Sequence, residues 1–196
     1  MRSMLSCLVV GLVGIAAWAS PAFATAISAD GTFHEFFWRD APPSPVVSCL
    51  ILPGIFCSQL TVNPVAEQSS SPPWTFTGAA SIFVQDLFTR GDRFQVFDNA
   101  GSLGMTSVPI NDEVTCNNDI AACSVAAGFS RGTFPVGPGS HSLTINLIQA
   151  AVGSGHSGVA VFSVSAAAVP EPGTLILLGA GLAGLVGIVR RRRRDP

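Results

Sequence analysis

The chain has 196 residues, 48% of them hydrophobic, with 12 acidic residues against 10 arginines, no lysine and a formal net charge of -2. Half of those arginines stand together at Arg190 to Arg194, so the rest is more acidic than the total implies: residues 25–168 hold ten acidic residues and four arginines. Such a surface has no basic track to displace the counterions condensed on a polyanion, which excludes nucleic acid as a partner and leaves neutral glycans, divalent cations or similar matrix proteins.

In chain order, Arg2 gives a short positive start, Leu5 to Trp18 is an uncharged core, and Ala22-Phe23-Ala24 has the small-x-small pattern that signal peptidase accepts. A signal peptide over residues 1–24, cut before Thr25, and export of the remainder are expected. The exported domain, residues 25–164, is long enough for one core that buries roughly two-thirds of its extended-chain surface. Four of the five cysteines lie in it: Cys49, Cys57, Cys116 and Cys123. An even number in an oxidising compartment predicts two disulfides, for which three pairings exist. Pairing Cys49 with Cys57 and Cys116 with Cys123 is favoured, since each encloses seven or fewer residues. No histidine lies near them in sequence to complete a tetrahedral metal set, and no metal is expected there.

The elements read as strands and turns. Gly31 to Trp38 is a Phe-rich first strand, followed by an irregular stretch from Ala41 to Pro73 that holds seven prolines. Strand composition resumes at Trp74 to Thr77 and Ser81 to Val84. Asp92 to Phe97 and Ser102 to Val108 flank Asp98-Asn99-Ala100-Gly101, the clearest hairpin, with Phe94 and Val96 on one face and Arg93, Gln95 and Phe97 on the other. Phe129 to Val136 leads through Gly137-Pro138-Gly139 into His141 to Ile148, where Leu143, Ile145 and Leu147 share a face. Val159 to Val164 is the last strand, before a linker over residues 165–169. With no 3.6-residue amphipathic period between the ends, an all-β fold is expected, two packed antiparallel sheets in a jelly-roll-like sandwich.

Residues that carry chemistry are sparse. His34, His141 and His156 are far apart and read as surface strand or loop residues, and no serine stands in a Gly-x-Ser-x-Gly elbow, so no catalytic residue is expected. Asn111-Asp112-Glu113 with Asn117-Asn118-Asp119 is rich in oxygen, which makes Asp112, Glu113 and Asp119 candidate calcium ligands, although the loop lacks the alternation and glycine of a helical calcium loop and reads first as solvated. Asp92 and Asp98 frame the hairpin and read as turn acceptors. Trp38 and Trp74, with Phe33, Phe36 and Phe37, are candidate glycan contacts if one side of a strand stays exposed, against the plainer reading of core packing.

The C-terminus is the most specific segment. Thr174 to Val189 is an uncharged run whose helix, at about 1.5 Å per residue, is roughly 24 Å long, enough for a short membrane span if the flanking arginines reach the interface. The basic cluster of Arg190, Arg191, Arg192, Arg193 and Arg194 stays most cheaply in the cytoplasm, which puts the preceding chain across the membrane. Pro170 and Pro172 keep the approach extended and leave Glu171 accessible at the surface. The Pro170-Glu171-Pro172 triplet, the Gly-rich apolar segment and the Arg cluster, in that order over residues 170–194, resemble a PEP-CTERM sorting signal. The resemblance implies recognition by an exosortase-like membrane enzyme that cuts near the triplet. It also implies an intermediate held in the inner membrane with its domain in the periplasm, then release to the cell surface or the extracellular space, in bacteria that make exopolysaccharide. The stretches Asp86-Leu87-Phe88, Gly91 to Asn99, Leu103 to Ser107, Phe129 to Phe134 and Gly139 to Ile145 resemble a β-rich domain often found ahead of that signal. That likeness implies a surface or matrix module, with carbohydrate binding to exopolysaccharide as the alternative.

Overall fold

The computed structural model describes residues 24–49, 63–154 and 157–167. Within them the chain forms β1 (Thr25–Ala26), β2 (Asp30–Trp38), β3 (Ser44–Pro45), β4 (Glu67–Gln68), β5 (Trp74–Thr77), β6 (Ala80–Asp86), β7 (Arg93–Asp98), β8 (Gly101–Met105), α1 (Ile120–Val125), β9 (Arg131–Val136), β10 (Ser140–Gln149) and β11 (Gly158–Ala166). The domain is all-β. One sheet has the order β1-β5-β10-β7-β8, with β3 also paired to β10; the other has the order β4-β2-β11-β6-β9. The longer strands pair antiparallel, but the expectation of purely antiparallel sheets needs correcting: the two-residue strands β1 and β4 join β5 and β2 in parallel. Neither is joined to its partner by a hairpin, since 47 residues separate β1 from β5 and 28 separate β2 from β4, so no tight turn imposes an antiparallel direction.

Alternation places the core. In β7, Phe94 and Val96 are fully buried, and in β10 Leu143, Ile145 and Leu147 are too, so both strands aim one face at the opposite sheet. Opposite them stand Phe36 and Trp38 of β2, Ile82 and Val84 of β6, and Phe162 and Val164 of β11. Aromatic rings interlock across the gap: Phe36 meets Phe94 edge-on at 5.3 Å and Trp74 lies 4.5 Å from Phe162.

The second sheet is buried on its outer face as well, which is why β2 and β11 do not alternate. Residues 34–38 and 159–164 are buried without a break. The two irregular excursions cover that face. Val47 bridges to Phe37, Ser69 N–H donates to the Glu35 carbonyl, and Cys49 N–H donates to the Ser69 carbonyl. On the other side, Leu87, Cys116, Ile120, Cys123, Phe129 and Val161 form a second apolar cluster. Gln85, fully buried in β6, donates to the Ile120 carbonyl at 3.1 Å and accepts from Ser124 Oγ at 2.6 Å. The excursions meet where Ala121 N–H donates to the Asn63 carbonyl.

Helix α1 departs from the all-strand expectation. Asp119 caps it by accepting from Ala122 N–H at 2.8 Å. At six residues it is shorter than two turns, too short to show a helical period. Strand β11 runs on through Ser165 and Ala166, two residues into the expected linker. Several expectations fall outside the described residues: the signal peptide up to residue 23, Cys57, His156, the Pro170-Glu171-Pro172 triplet, the span 174–189, and the basic cluster Arg190, Arg191, Arg192, Arg193 and Arg194. Among the described residues no helix is long and apolar enough to cross a membrane.

Candidate functional site

Trp38 and Trp74 are not glycan contacts: both are fully buried, so neither ring offers a face to a sugar. Their polar atoms are spent inward. Trp38 Nε1 donates to Asp92 Oδ2 at 3.0 Å and Trp74 Nε1 donates to the Ser70 carbonyl at 3.0 Å. Trp38 also packs against its cross-strand partner Gly158, where a Cβ would stand 2.6 Å from the indole ring.

Among the described residues the carboxylates of the acidic loop turn to separate partners. Asp112 accepts a two-pronged ion pair from Arg90, which holds its carboxyl below the usual range. Glu113 lies against Gly153, and Asp119 is occupied as the cap of α1. Among the described residues no three His, Cys, Asp or Glu side chains gather in a group that could hold a metal ion. Cys116 and Cys123 form a disulfide, with Cα atoms 5.4 Å apart, and Cys49 is also disulfide-bonded.

The described histidines are buried, against the expectation of surface positions. His34 packs on Phe162 with ring centroids 5.2 Å apart, and burial pushes its pKa down. His141 stacks on Phe76; its Nδ1 lies 2.8 Å from Asp98 Oδ2 and its Nε2 lies 3.0 Å from the Gly137 carbonyl. Burial opposes the charged ring, but two acceptors at its two nitrogens, Asp98 above all, raise its pKa. Asp98 also accepts from Ser142 N–H, so it ties β7 to β10.

One end of the sandwich holds an open pocket of about 430 Å³. The β6–β7 connection brings Leu87, Phe88, Thr89 and Asp92 to it, the β10–β11 connection brings Ala151, Gly153, Ser154 and Ser157, and Phe37, Asn118, Gly158 and Val159 complete its described walls. Asp86 shapes the first connection: its Oδ2 accepts from Gly91 N–H at 3.1 Å and Asp92 N–H at 3.2 Å. Gly91, at a φ of +140°, admits no side chain because a Cβ would stand 2.7 Å from Ala151 Cα.

Asp92 is therefore no turn acceptor. It lies 2% exposed between the sheets, with Oδ1 accepting from Ala151 N–H at 2.7 Å and Oδ2 from the Trp38 indole. Burial pushes its carboxyl up to about 7 against those two donors. Burial, and then the charge of Asp92, also raise Asp86, whose Oδ1 has no hydrogen-bond partner among the described residues. Phe88 at the pocket's edge stays 51% exposed. Sequence reading missed this site because it draws on four separate stretches of the chain; the advance signal was the pair of acids at Asp86 and Asp92 around Gly91.

No curated protein and no solved structure matches the chain. Residues 168–194 match the family described as the PEP-CTERM protein-sorting motif, a match that lies wholly beyond the sandwich and takes in the triplet and all five clustered arginines, Arg190, Arg191, Arg192, Arg193 and Arg194. The chain thus carries a PEP-CTERM protein-sorting motif at its C-terminal end, the mark of an exported protein that is anchored in the membrane in passing and processed by exosortase, a membrane enzyme.

Proposed function

We propose that residues 25–164 form a structural module of the cell surface or extracellular matrix, delivered through the C-terminal motif and working without a catalytic step or a cofactor. The observation that carries this reading is the sorting motif at residues 168–194 placed behind a sandwich whose second sheet is covered on both faces. A disulfide inside one of those covers suits a compartment where thiols stay oxidised. In this account signal peptidase removes residues 1–24 and the span 174–189 holds the intermediate in the inner membrane. Arg190 to Arg194 then face the cytoplasm, the domain sits in the periplasm, and exosortase cuts near Pro170-Glu171-Pro172.

The fold of the module is read as a jelly roll. What supports this is the path of the eight longer strands: β2-β11-β6-β9 in one sheet and β5-β10-β7-β8 in the other, with the chain changing sheet at every connection but β7 to β8. A second reading, carbohydrate binding to exopolysaccharide, is favoured by the open pocket between the β6–β7 and β10–β11 connections.

The sorting part is tested by replacing Pro170, Glu171 and Pro172 with alanine in the native host and fractionating the cells. The altered chain is expected to accumulate in the inner membrane while the native one reaches the surface or the medium. Equal surface recovery of both would sink the assignment of the triplet.

A further inference from the structure

The pocket carries an inference that rests on the carbohydrate-binding reading and assigns that reading a place. Phe88 is a large apolar ring left 51% exposed, on a backbone held at a φ of +65°, a conformation that bulky side chains avoid. Its exposure is built in, because the backbone behind it is pinned: Cys116 N–H donates to the Phe88 carbonyl at 2.8 Å, Thr89 bridges to Thr115, and the Cys116–Cys123 disulfide closes the supporting segment. Neither the strained backbone nor the wet ring helps the fold, and strain of this kind collects at ligand sites.

The neighbours supply the complementary chemistry. Asp92 lines the pocket with a carboxyl group that has taken only one N–H donor on each oxygen, so hydrogen-bonding capacity remains for ligand hydroxyls. Ser154 and Ser157 line the opposite connection, and the volume of about 430 Å³ falls within the range of small-molecule sites. A fixed aromatic ring beside a buried acceptor and two hydroxyls suits a ligand with one apolar face and an equatorial fringe of hydroxyl groups. The excess of ten acidic residues over four arginines in residues 25–168 disfavours an acidic ligand. We propose that this pocket binds a neutral pyranose unit of a polysaccharide, stacked on Phe88 and hydrogen-bonded by Asp92, Ser154 and Ser157.

The test is a titration of the full chain in a non-glycosidic detergent, read by saturation-transfer NMR and calorimetry. The probes are methyl glucoside, galactoside and mannoside with their 1,4-linked disaccharides, and glucuronic acid as the anionic control. Saturable binding of at least one neutral probe is expected, with affinity falling at least tenfold in Phe88→Gly while the melting temperature holds or rises, because glycine accepts the positive φ. Phe88→Asn, which also tolerates that backbone, is a second variant with the same expected loss. Val125→Ala, 84% exposed and outside the pocket lining, is expected to bind like the native chain. A neutral probe bound equally by native, Phe88→Gly and Phe88→Asn proteins would overturn the pocket assignment and leave the carbohydrate reading standing. Binding of none of the probes overturns both, and binding of glucuronic acid alone overturns the neutral class.

Discussion

Raising the pH from 5 to 8 is expected to weaken this fold, because the buried carboxyls of Asp86 and Asp92 are easier to bury as neutral acids. The Asp92 carboxyl moves from 3.8 to about 7, with burial as the main cause. Between those values the folded chain holds a proton that the unfolded chain has lost, so stability falls as pH rises through that window. The gap corresponds to about 4 kcal/mol at roughly 1.4 kcal/mol per pH unit. Asp86, raised by burial and by Asp92, acts in the same direction. So does His141, whose raised pKa contributes stability that is present below the ordinary 6.5 and lost as pH climbs through the folded value. His34, lowered by burial, works against them, costing stability as pH falls below about 6.5. The net expectation is a loss on the order of 2–4 kcal/mol from pH 5 to pH 8. The assay is urea unfolding followed by tryptophan fluorescence, since Trp38 and Trp74 are buried when folded. In Asp92→Asn the group no longer titrates, so the slope should shrink by about half, while stability at pH 5 drops by about 1–3 kcal/mol because an amide cannot accept from both Trp38 and Ala151. Equal or greater stability of the native chain at pH 8, or an unchanged slope in Asp92→Asn, would refute the reasoning.

Three further outcomes follow from local geometry. The β7–β8 turn holds Asn99 at a φ of 48° and Ala100 at 64°, a pair of left-handed residues in which alanine is the strained member, so Ala100→Gly is expected to stabilise by about 0.5–1 kcal/mol in the same unfolding assay. Trp38→Phe removes the indole donor from buried Asp92 and part of the ring that packs on Gly158, and is expected to cost about 2–4 kcal/mol. Chelation with EDTA is expected to leave the melting temperature unchanged, because Asp112, Glu113 and Asp119 point to separate partners; a fall of several degrees on chelation would restore the acidic loop as a calcium site.

What the sequence disclosed tracks how local each signal is. Strands β7 and β10 were legible because one face of each packs and the other is wet, so Phe94, Val96, Leu143, Ile145 and Leu147 alternate cleanly. Strand β2 was legible in position but not in its faces: Phe36 and Trp38 enter the main core while Phe37 lies under the first excursion, and burial on both sides erases the period. The roles of Trp38 and Trp74 depended on whether a second layer covers them, which no local pattern states. Helix α1 left only its cap, Asp119. The pocket is assembled by topology, since the β6–β7 and β10–β11 connections meet only when β6 and β11 pair. The sorting motif, by contrast, is contiguous, and triplet, apolar run and arginines could be read in order.

The central claim is that this chain is exported and cut at its C-terminal motif, and intact-mass analysis of the protein from its native host, surface and medium separately, tests it most directly. The account predicts a chain that starts at Thr25, ends near Pro170 to Pro172 and gains about four hydrogens on reduction, as two disulfides in an exported domain require. Recovery from those fractions of a chain that still carries Arg190 to Arg194 would contradict it and leave the C-terminal segment as a simple membrane anchor.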